Sequence, residues 1–154
     1  MAKRSAGILL YRFRDGTLEV LLVHPGGPFW ASKDLGAWSI PKGEVGDGED
    51  PLAVAVRELE EETGHRLPAA DLVALGEVRQ RGGKTVAAWA APGDLDAAAI
   101  TSNTFTLEWP PRSGRRHEFP EVDRAGWFDL ASARDKLLAA QAVLLDRLAA
   151  RVSG

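Results

Sequence analysis

The chain predicts an α/β (α+β) fold in which one mixed β-sheet is sandwiched between α-helices. Three observations predict it: two apolar runs flank a tight turn at Asp15-Gly16, one helix is signalled at both ends, and a leucine-rich helix closes the chain. Strands and amphipathic helices in one chain bury their apolar faces against each other in layers. A chain of 154 residues suits one domain, residues 1–154, and no repeat or linker divides it.

The segment Ala6 to Phe13 is nearly continuous apolar, as in a strand buried on both faces. Asp15-Gly16 supplies the turn, and Leu18 to His24 forms the second strand of a hairpin. Pro25 to Gly36 reads as a loop carrying Phe29, Trp30 and Lys33. Trp38 to Pro41 is a short extended piece, and Gly43 to Glu49 is a loop with three glycines. Asp50 then offers an N-cap and Pro51 fits the first helical position. Leu52, Ala55, Val56 and Leu59 share one helical face, and Gly64 stands where a left-handed cap belongs. This helix spans Pro51 to Thr63.

Leu72 to Gln80 and Thr85 to Ala91 read as a second hairpin around Gly82-Gly83. Asp94 to Thr104 is a polar connection, Phe105 to Trp109 a short strand, Pro110 to His117 a loop and Arg124 to Phe128 a strand. Ser132 to Arg151 is expected as one helix buried along Leu137, Leu138, Leu144, Leu145 and Leu148.

Composition bounds the function. Apolar residues make up 45% and charged residues 27%, an ordinary globular balance. The absence of cysteine excludes disulfides and thiolate metal sites and suits a reducing compartment. The opening apolar run, Ala6 to Tyr11, is too short for a signal or a membrane span, so a cytoplasmic protein is expected. A net charge of −3 counts against stable nucleic-acid binding, which normally needs a basic excess. It does not count against a phosphorylated small molecule, because a bound divalent cation inverts the field of an acidic site.

Arg57, Glu58, Glu61 and Glu62 sit on the capped helix. Glu58 is three residues from Glu61 and four from Glu62, so the carboxylates share a face, expected opposite the Leu52/Leu59 stripe. Carboxylates so placed repel one another. A hard cation such as Mg²⁺ offsets that cost, since it prefers carboxylate oxygens and shares its shell with water and phosphate. Arg57 is four residues from Glu61 and could orient it. The preceding glycines let backbone approach a metal or phosphate closely, and Lys42 could meet a phosphate as a point charge. A glutamate-rich helix face alone is usually solvated surface; the spacing of the whole segment speaks for chemistry.

That spacing is Gly43, five residues, Glu49, seven residues, then Arg57-Glu58-Leu59-Glu60-Glu61-Glu62-Thr63-Gly64. It resembles the signature box of the Nudix hydrolases at every fixed position but the last, where His65 replaces an aliphatic residue that packs the following loop. Trp38-Ser39-Ile40-Pro41-Lys42-Gly43-Glu44 resembles the family's lead-in. Glu121 to Phe128, ending on Trp127-Phe128, resembles its late strand. The resemblance implies the Nudix fold, with the box as loop–helix–loop. It implies water attack on phosphorus in a diphosphate linkage, with Mg²⁺, for which Mn²⁺ can substitute, polarising phosphoryl oxygens and activating water.

By that analogy Glu61 and Glu62 are metal ligands and Glu58 is a ligand or the general base. Glu44 and the Gly43 carbonyl join the shell, while Glu49 holds the loop. Arg57 completes the catalytic set with a remote carboxylate, for which Glu121 is the first choice and Glu118 the second. Lys42, Arg4, Trp30 and Arg115 are the candidates for substrate binding. Trp30, beside Phe29, is the base-stacking aromatic, whereas Trp38, Trp89 and Trp127 read as core and Trp109 as intermediate. Arg112, Arg115, Arg116 and His117 could clasp extra phosphates, as could Lys3 and Arg4. His24 and His65 lack metal-type spacing and are not read as ligands.

The opening strand and the lead-in resemble family members acting on dinucleoside polyphosphates such as diadenosine tetraphosphate. They also resemble nucleoside triphosphate pyrophosphohydrolases, and the partner expected is a small nucleotide substrate. The resemblance further suggests a homodimer. A non-catalytic nucleotide-sensing domain is the alternative outside enzymes, but such domains typically lose the carboxylates that are intact here. A Nudix-fold isomerase is disfavoured by the lack of cysteine.

Overall fold

The computed structural model describes residues 3–67 and 72–152. Strand β1 (Arg4–Arg14) turns through Asp15 and Gly16, at φ of 51° and 81°, into antiparallel β2 (Thr17–Pro25). Positive φ at both central residues matches the right-handed twist of the two strands. Then come β3 (Lys42–Glu44), α1 (Pro51–Thr63), β4 (Val73–Arg79) and β5 (Thr85–Pro92). A small hairpin, β6 (Thr104–Glu108) and β7 (Arg116–Pro120), precedes β8 (Val122–Asp129), α2 (Leu130–Lys136) and α3 (Val143–Val152).

The main sheet runs β4-β5-β1-β2-β8, with β3 paired to the start of β1. β1 and β5 are parallel and the other neighbours antiparallel, so the sheet is mixed. Alternation along the strands sends side chains to both faces. Ala6, Ile8, Leu10 and Leu21 pack with Val54, Ala55 and Leu59 of α1. Leu9, Val20 and Leu22 pack with Leu137, Leu144, Leu145 and Leu148 on the opposite face. The central strands are therefore buried on both sides, which is why they read as continuous apolar runs. Each buried leucine or isoleucine contributes about 1.5–3 kcal/mol.

Helix α1 begins and ends where its local signals place it. The Asp50 side chain accepts from Ala53 N–H, Pro51 opens the first turn, and Gly64 caps the end at φ 82° with its N–H on Glu60 O. The same helix corrects one expectation. Its buried face is Val54, Ala55, Leu59, Glu62 and Thr63, while Leu52 and Val56 are only partly buried. Glu62 thus lies beside the apolar stripe rather than opposite it, because 62 is one turn from Leu59 on the same face.

Three boundaries also differ. Gly43 and Glu44, expected in a loop, belong to β3 because they pair with Ala6 and Ser5. Arg116 and His117, also expected in a loop, open β7 opposite Glu108 and Leu107. The expected helix Ser132 to Arg151 is interrupted after Lys136. There Trp38 N–H donates to Lys136 O, and Leu138 N–H donates to Trp38 O. This inter-segment bridge takes backbone groups that a continuous helix would need. A short 3₁₀ turn at Ala139–Gln141 then leads into α3. Among the described residues, no helix is long and apolar enough to cross a membrane.

Candidate active site

The pairing of β3 with β1 carries Gly43 against α1. A Cβ at Gly43 would overlap the carboxyl of Glu58, so the glycine is what lets that carboxyl lie directly against the backbone. Glu49 closes the loop between β3 and α1. One of its oxygens accepts from Gly46 N–H at 2.7 Å and the other from Arg57 Nη1 at 2.9 Å. These two donors hold the Glu49 carboxyl below the usual carboxylate range, Arg57 contributing most. Arg57 therefore bonds Glu49 directly. It reaches Glu58 and Glu61 only as ion pairs at 3.9 Å, a looser hold on Glu61 than its spacing suggests.

The carboxylates meet at the far end of α1. Glu62 is only 6% exposed. Burial, then repulsion from Glu58 and Glu121, pushes its carboxyl up to about 9, opposed by the Lys42 charge and the Lys42 backbone N–H. Burial and the charges of Glu61 and Glu121 likewise raise Glu58, against the pull of Arg57. Glu121 comes from the link between β7 and β8. Its N–H donates to Asn103 O, and Asn103 N–H donates to Glu61 O at the end of α1. Its carboxyl reaches solvent yet is still raised, first by partial burial and then by Glu61. Glu118, the second choice, lies on the outer hairpin, where its carboxylate accepts from Thr104 Oγ1.

Two openings of about 300 and 410 Å³ share Pro25, Trp30, Lys42, Glu62 and Glu121. They meet at that shared centre as two lobes with different outer walls. The first is walled by Ile40, Gln80, Lys84 and Leu138, the second by Phe29, Phe105 and Leu107. Burial lowers the Lys42 ammonium from its ordinary value, an effect that the nearby charge of Lys84 reinforces and Glu62 opposes. Trp30 is 37% exposed, and Phe29 stacks edge-on against Trp109 at 5.2 Å.

Other expected residues stand apart from these lobes. The Glu44 carboxylate is exposed and pairs with Lys3 Nζ at 3.2 Å. Arg4 is exposed beside the glycine loop, lining a different depression with Lys3 and Glu44. Arg115 is exposed in the loop between β6 and β7, where its carbonyl accepts from Trp109 N–H.

Sequence reasoning missed Gln80, Lys84, Phe105 and Leu107 on the cleft walls. It also missed what His24 does. His24 is fully buried, with Nδ1 2.8 Å from Asp123 Oδ1 and Nε2 2.6 Å from Lys33 O. A β-bulge, at which β8 steps from Arg124 to Val122 opposite His24 and Pro25, presents Asp123 to the ring. Both ring nitrogens are engaged, and the contact ties down the loop that carries Trp30.

Among the described residues, no three or more His, Cys, Asp or Glu side chains are grouped so as to hold a metal ion between them. The available donors are hard oxygens: mutually repelling carboxylates of Glu58, Glu61 and Glu62 and the backbone at Gly43. Mg²⁺ is commonly held by one or two carboxylates, completing its shell with water and substrate phosphate. The donor set fits that kind of cation.

Residues 1–148 match the family model of the NUDIX domain. An RNA pyrophosphohydrolase of Erythrobacter litoralis is 51% identical over 78 residues, 48% of this chain and 48% of that protein. The asymmetrical bis(5'-nucleosyl)-tetraphosphatase of Rattus norvegicus is 34% identical over 104 residues, 59% of this chain and 65% of that protein. The chain spans between 33% and 65% of the lengths of these and the first curated relative it matches. The crystal structure of a C. elegans Ap4A hydrolase binary complex superposes with a TM-score of 0.68 at 22% identity, covering 99% of each chain. Such a likeness establishes the fold, and the family model establishes the lineage. The chain belongs to the NUDIX domain family.

Proposed function

We propose that this chain hydrolyses a phosphoanhydride bond in a nucleoside-diphosphate-linked substrate, with dinucleoside polyphosphates such as diadenosine tetraphosphate as the first class. The observation that carries the reading is the convergence of Glu62 and Glu121 with Lys42 at the centre of a two-lobed cleft, with the charge of Glu58 felt by Glu62. A two-ended substrate suits that shape, with its phosphate chain at the centre and one nucleoside toward each lobe. The names of the tetraphosphatase relatives point the same way.

Glu58, Glu61 and Glu62 are the carboxylates of which one or two at a time would hold Mg²⁺ together with the Gly43 carbonyl, and Glu44 is the further candidate. When bound, the cation supplies charge for the phosphoryl oxygens and lowers the pKa of water. The chain's own groups do the rest. Lys42 meets a phosphate oxygen. Arg57, locked on Glu49, fixes the loop that holds Gly43 against Glu58. Glu121, raised but open to solvent, takes the proton of the attacking water. Trp30 offers its face to a base.

Two results are expected. Glu121→Gln lowers kcat by about 10²- to 10⁴-fold, the range for loss of a general base. Glu118→Gln stays within about twofold, since its carboxylate is spent on Thr104. Steady-state kinetics on both variants checks the assignment, and equal losses would remove it. Trp30→Ala raises KM by about tenfold with a smaller change in kcat, as loss of one stacked base implies. An unchanged KM would place the base elsewhere.

Pyrophosphate release from a 5'-triphosphate is a second reading, favoured by the identity to the RNA pyrophosphohydrolase. Incubation with Mg²⁺ and a panel of dinucleoside polyphosphates, nucleoside triphosphates, ADP-ribose and NADH separates the two. ATP plus AMP from diadenosine tetraphosphate supports the first reading, and pyrophosphate from a triphosphate supports the second. No turnover on any member, with Mg²⁺ or Mn²⁺, would count against hydrolysis and favour a nucleotide-sensing role.

A further inference from the structure

A chain of side-chain amides runs behind the first lobe, and its polarity is fixed from one end. Gln141 is fully buried, and its Oε1 accepts from the backbone N–H of Ile40 at 3.0 Å. A backbone N–H can only donate, so the oxygen of Gln141 is assigned without ambiguity. Its Nε2 therefore supplies both remaining bonds, one to Ser39 Oγ at 3.1 Å and one to Gln80 Oε1 at 2.8 Å. Ser39 Oγ donates onward to Ile40 O at 2.7 Å, so it too has a fixed role.

Gln80 must then turn its oxygen inward to meet a donor. Its amide nitrogen is the end left for the lobe, and among the described residues no group accepts from it. Lys84 lines the same lobe, and its charge is felt by Lys42 at the centre of the cleft. The polar side chains on the outer wall of this lobe, away from the central Lys42, Glu62 and Glu121, are thus donors: the Gln80 amide NH₂ and the Lys84 ammonium. A glutamine whose two amide ends are both free pairs with adenine through an acceptor and a donor together. Here the oxygen is turned toward Gln141, so the amide does not present both ends to one base.

We infer that Gln80, oriented by Gln141, is a specificity-determining donor that selects an acceptor-rich ligand edge in this lobe. That edge is either the keto side of a base or the non-bridging oxygens of a terminal phosphate. The inference rests on the reading of the cleft as a nucleotide site, but not on its turnover. Residues 80 and 141 are 61 positions apart, so the arrangement belongs to the fold rather than to a local motif.

The test is equilibrium binding by calorimetry of AMP, GMP and ADP to the full chain and to Gln80→Glu. The carboxylate still accepts from Gln141 but presents an acceptor to the lobe in place of a donor. If the lobe reads a base, the GMP-over-AMP affinity ratio falls by about tenfold in the variant and the ADP-over-AMP ratio holds. If it reads a phosphate, the ADP-over-AMP ratio falls by about tenfold and the base ratio holds. Either result supports the inference and identifies the source. Two unchanged ratios, or no nucleotide binding by the wild type, overturn it. Gln141→Glu makes the relay visible: Gln80 would reverse to donate to the introduced carboxylate, and the same ratio should move in the same direction. Should that buried charge prevent folding, Gln80→Glu decides alone. Absence of hydrolysis on the substrate panel would remove the proposed activity without altering these ratios.

Discussion

Glu62→Gln is expected to lower turnover by roughly 10²- to 10⁴-fold while leaving the metal-free protein as stable as the wild type or more so. The two halves of this result have one cause. Glu62 is a carboxylate forced into a buried position beside Glu58 and Glu121, an arrangement that serves cation binding and works against folding. Glutamine keeps the shape and removes the charge. The pH dependence follows from the raised carboxyl at about 9. In the unfolded chain the same group ionises near the ordinary glutamate value of about 4.3. Between those values the folded state binds more protons than the unfolded one, so wild-type stability falls as pH rises. Its contribution is fully present below the unfolded value and is lost toward the folded one. Glutamine carries no such dependence. Melting curves of chelator-treated wild type and variant should therefore diverge from acid toward mildly alkaline pH, with the variant higher. Parallel curves would show that Glu62 is not held protonated by its surroundings.

Gly43→Ala is the second large effect, and here stability and activity should fall together. The added methyl would overlap the Glu58 carboxyl. That carboxyl is the end of a flexible side chain, so the structure relaxes by displacing it rather than by unfolding. A loss of about 1–2 kcal/mol in stability is expected from the forced repacking. Turnover should fall by about 10²-fold, since a displacement of about 1 Å in a reacting constellation costs that much. Chemical denaturation alongside kinetics checks both numbers. Full activity in Gly43→Ala would mean that Glu58 need not sit against this backbone, and would remove the Gly43 carbonyl from the proposed shell.

What the sequence made legible was what is decided locally. Asp50, Pro51 and Gly64 mark the ends of α1 through capping that depends on neighbours a few residues away. Asp15-Gly16 fixes the first hairpin in the same manner. The box spacing brought Gly43, Glu49, Arg57, Glu58 and Glu62 into one candidate set before any geometry was known. What stayed hidden depends on partners far along the chain. The break after Lys136 leaves no trace in the leucine pattern, because Leu137, Leu144, Leu145 and Leu148 reach the same core with or without it. Its cause is the bridge to Trp38. His24 gave no signal because its partner Asp123 is 99 positions away. The burial of Glu62 was readable in principle from its one-turn offset to Leu59, but a charged residue is not ordinarily placed on a core face.

The most direct test of the account follows one oxygen atom. Diadenosine tetraphosphate is incubated with the chain and Mg²⁺ in ¹⁸O-labelled water, and the products are read by mass spectrometry. The account predicts ATP and AMP, with one label in a product phosphate per turnover. It also predicts that the rate falls by at least about 10²-fold in Glu62→Gln and on removal of the cation by a chelator. Labelled product at an undiminished rate in both controls, or no label in any product phosphate, would contradict hydrolysis at these carboxylates.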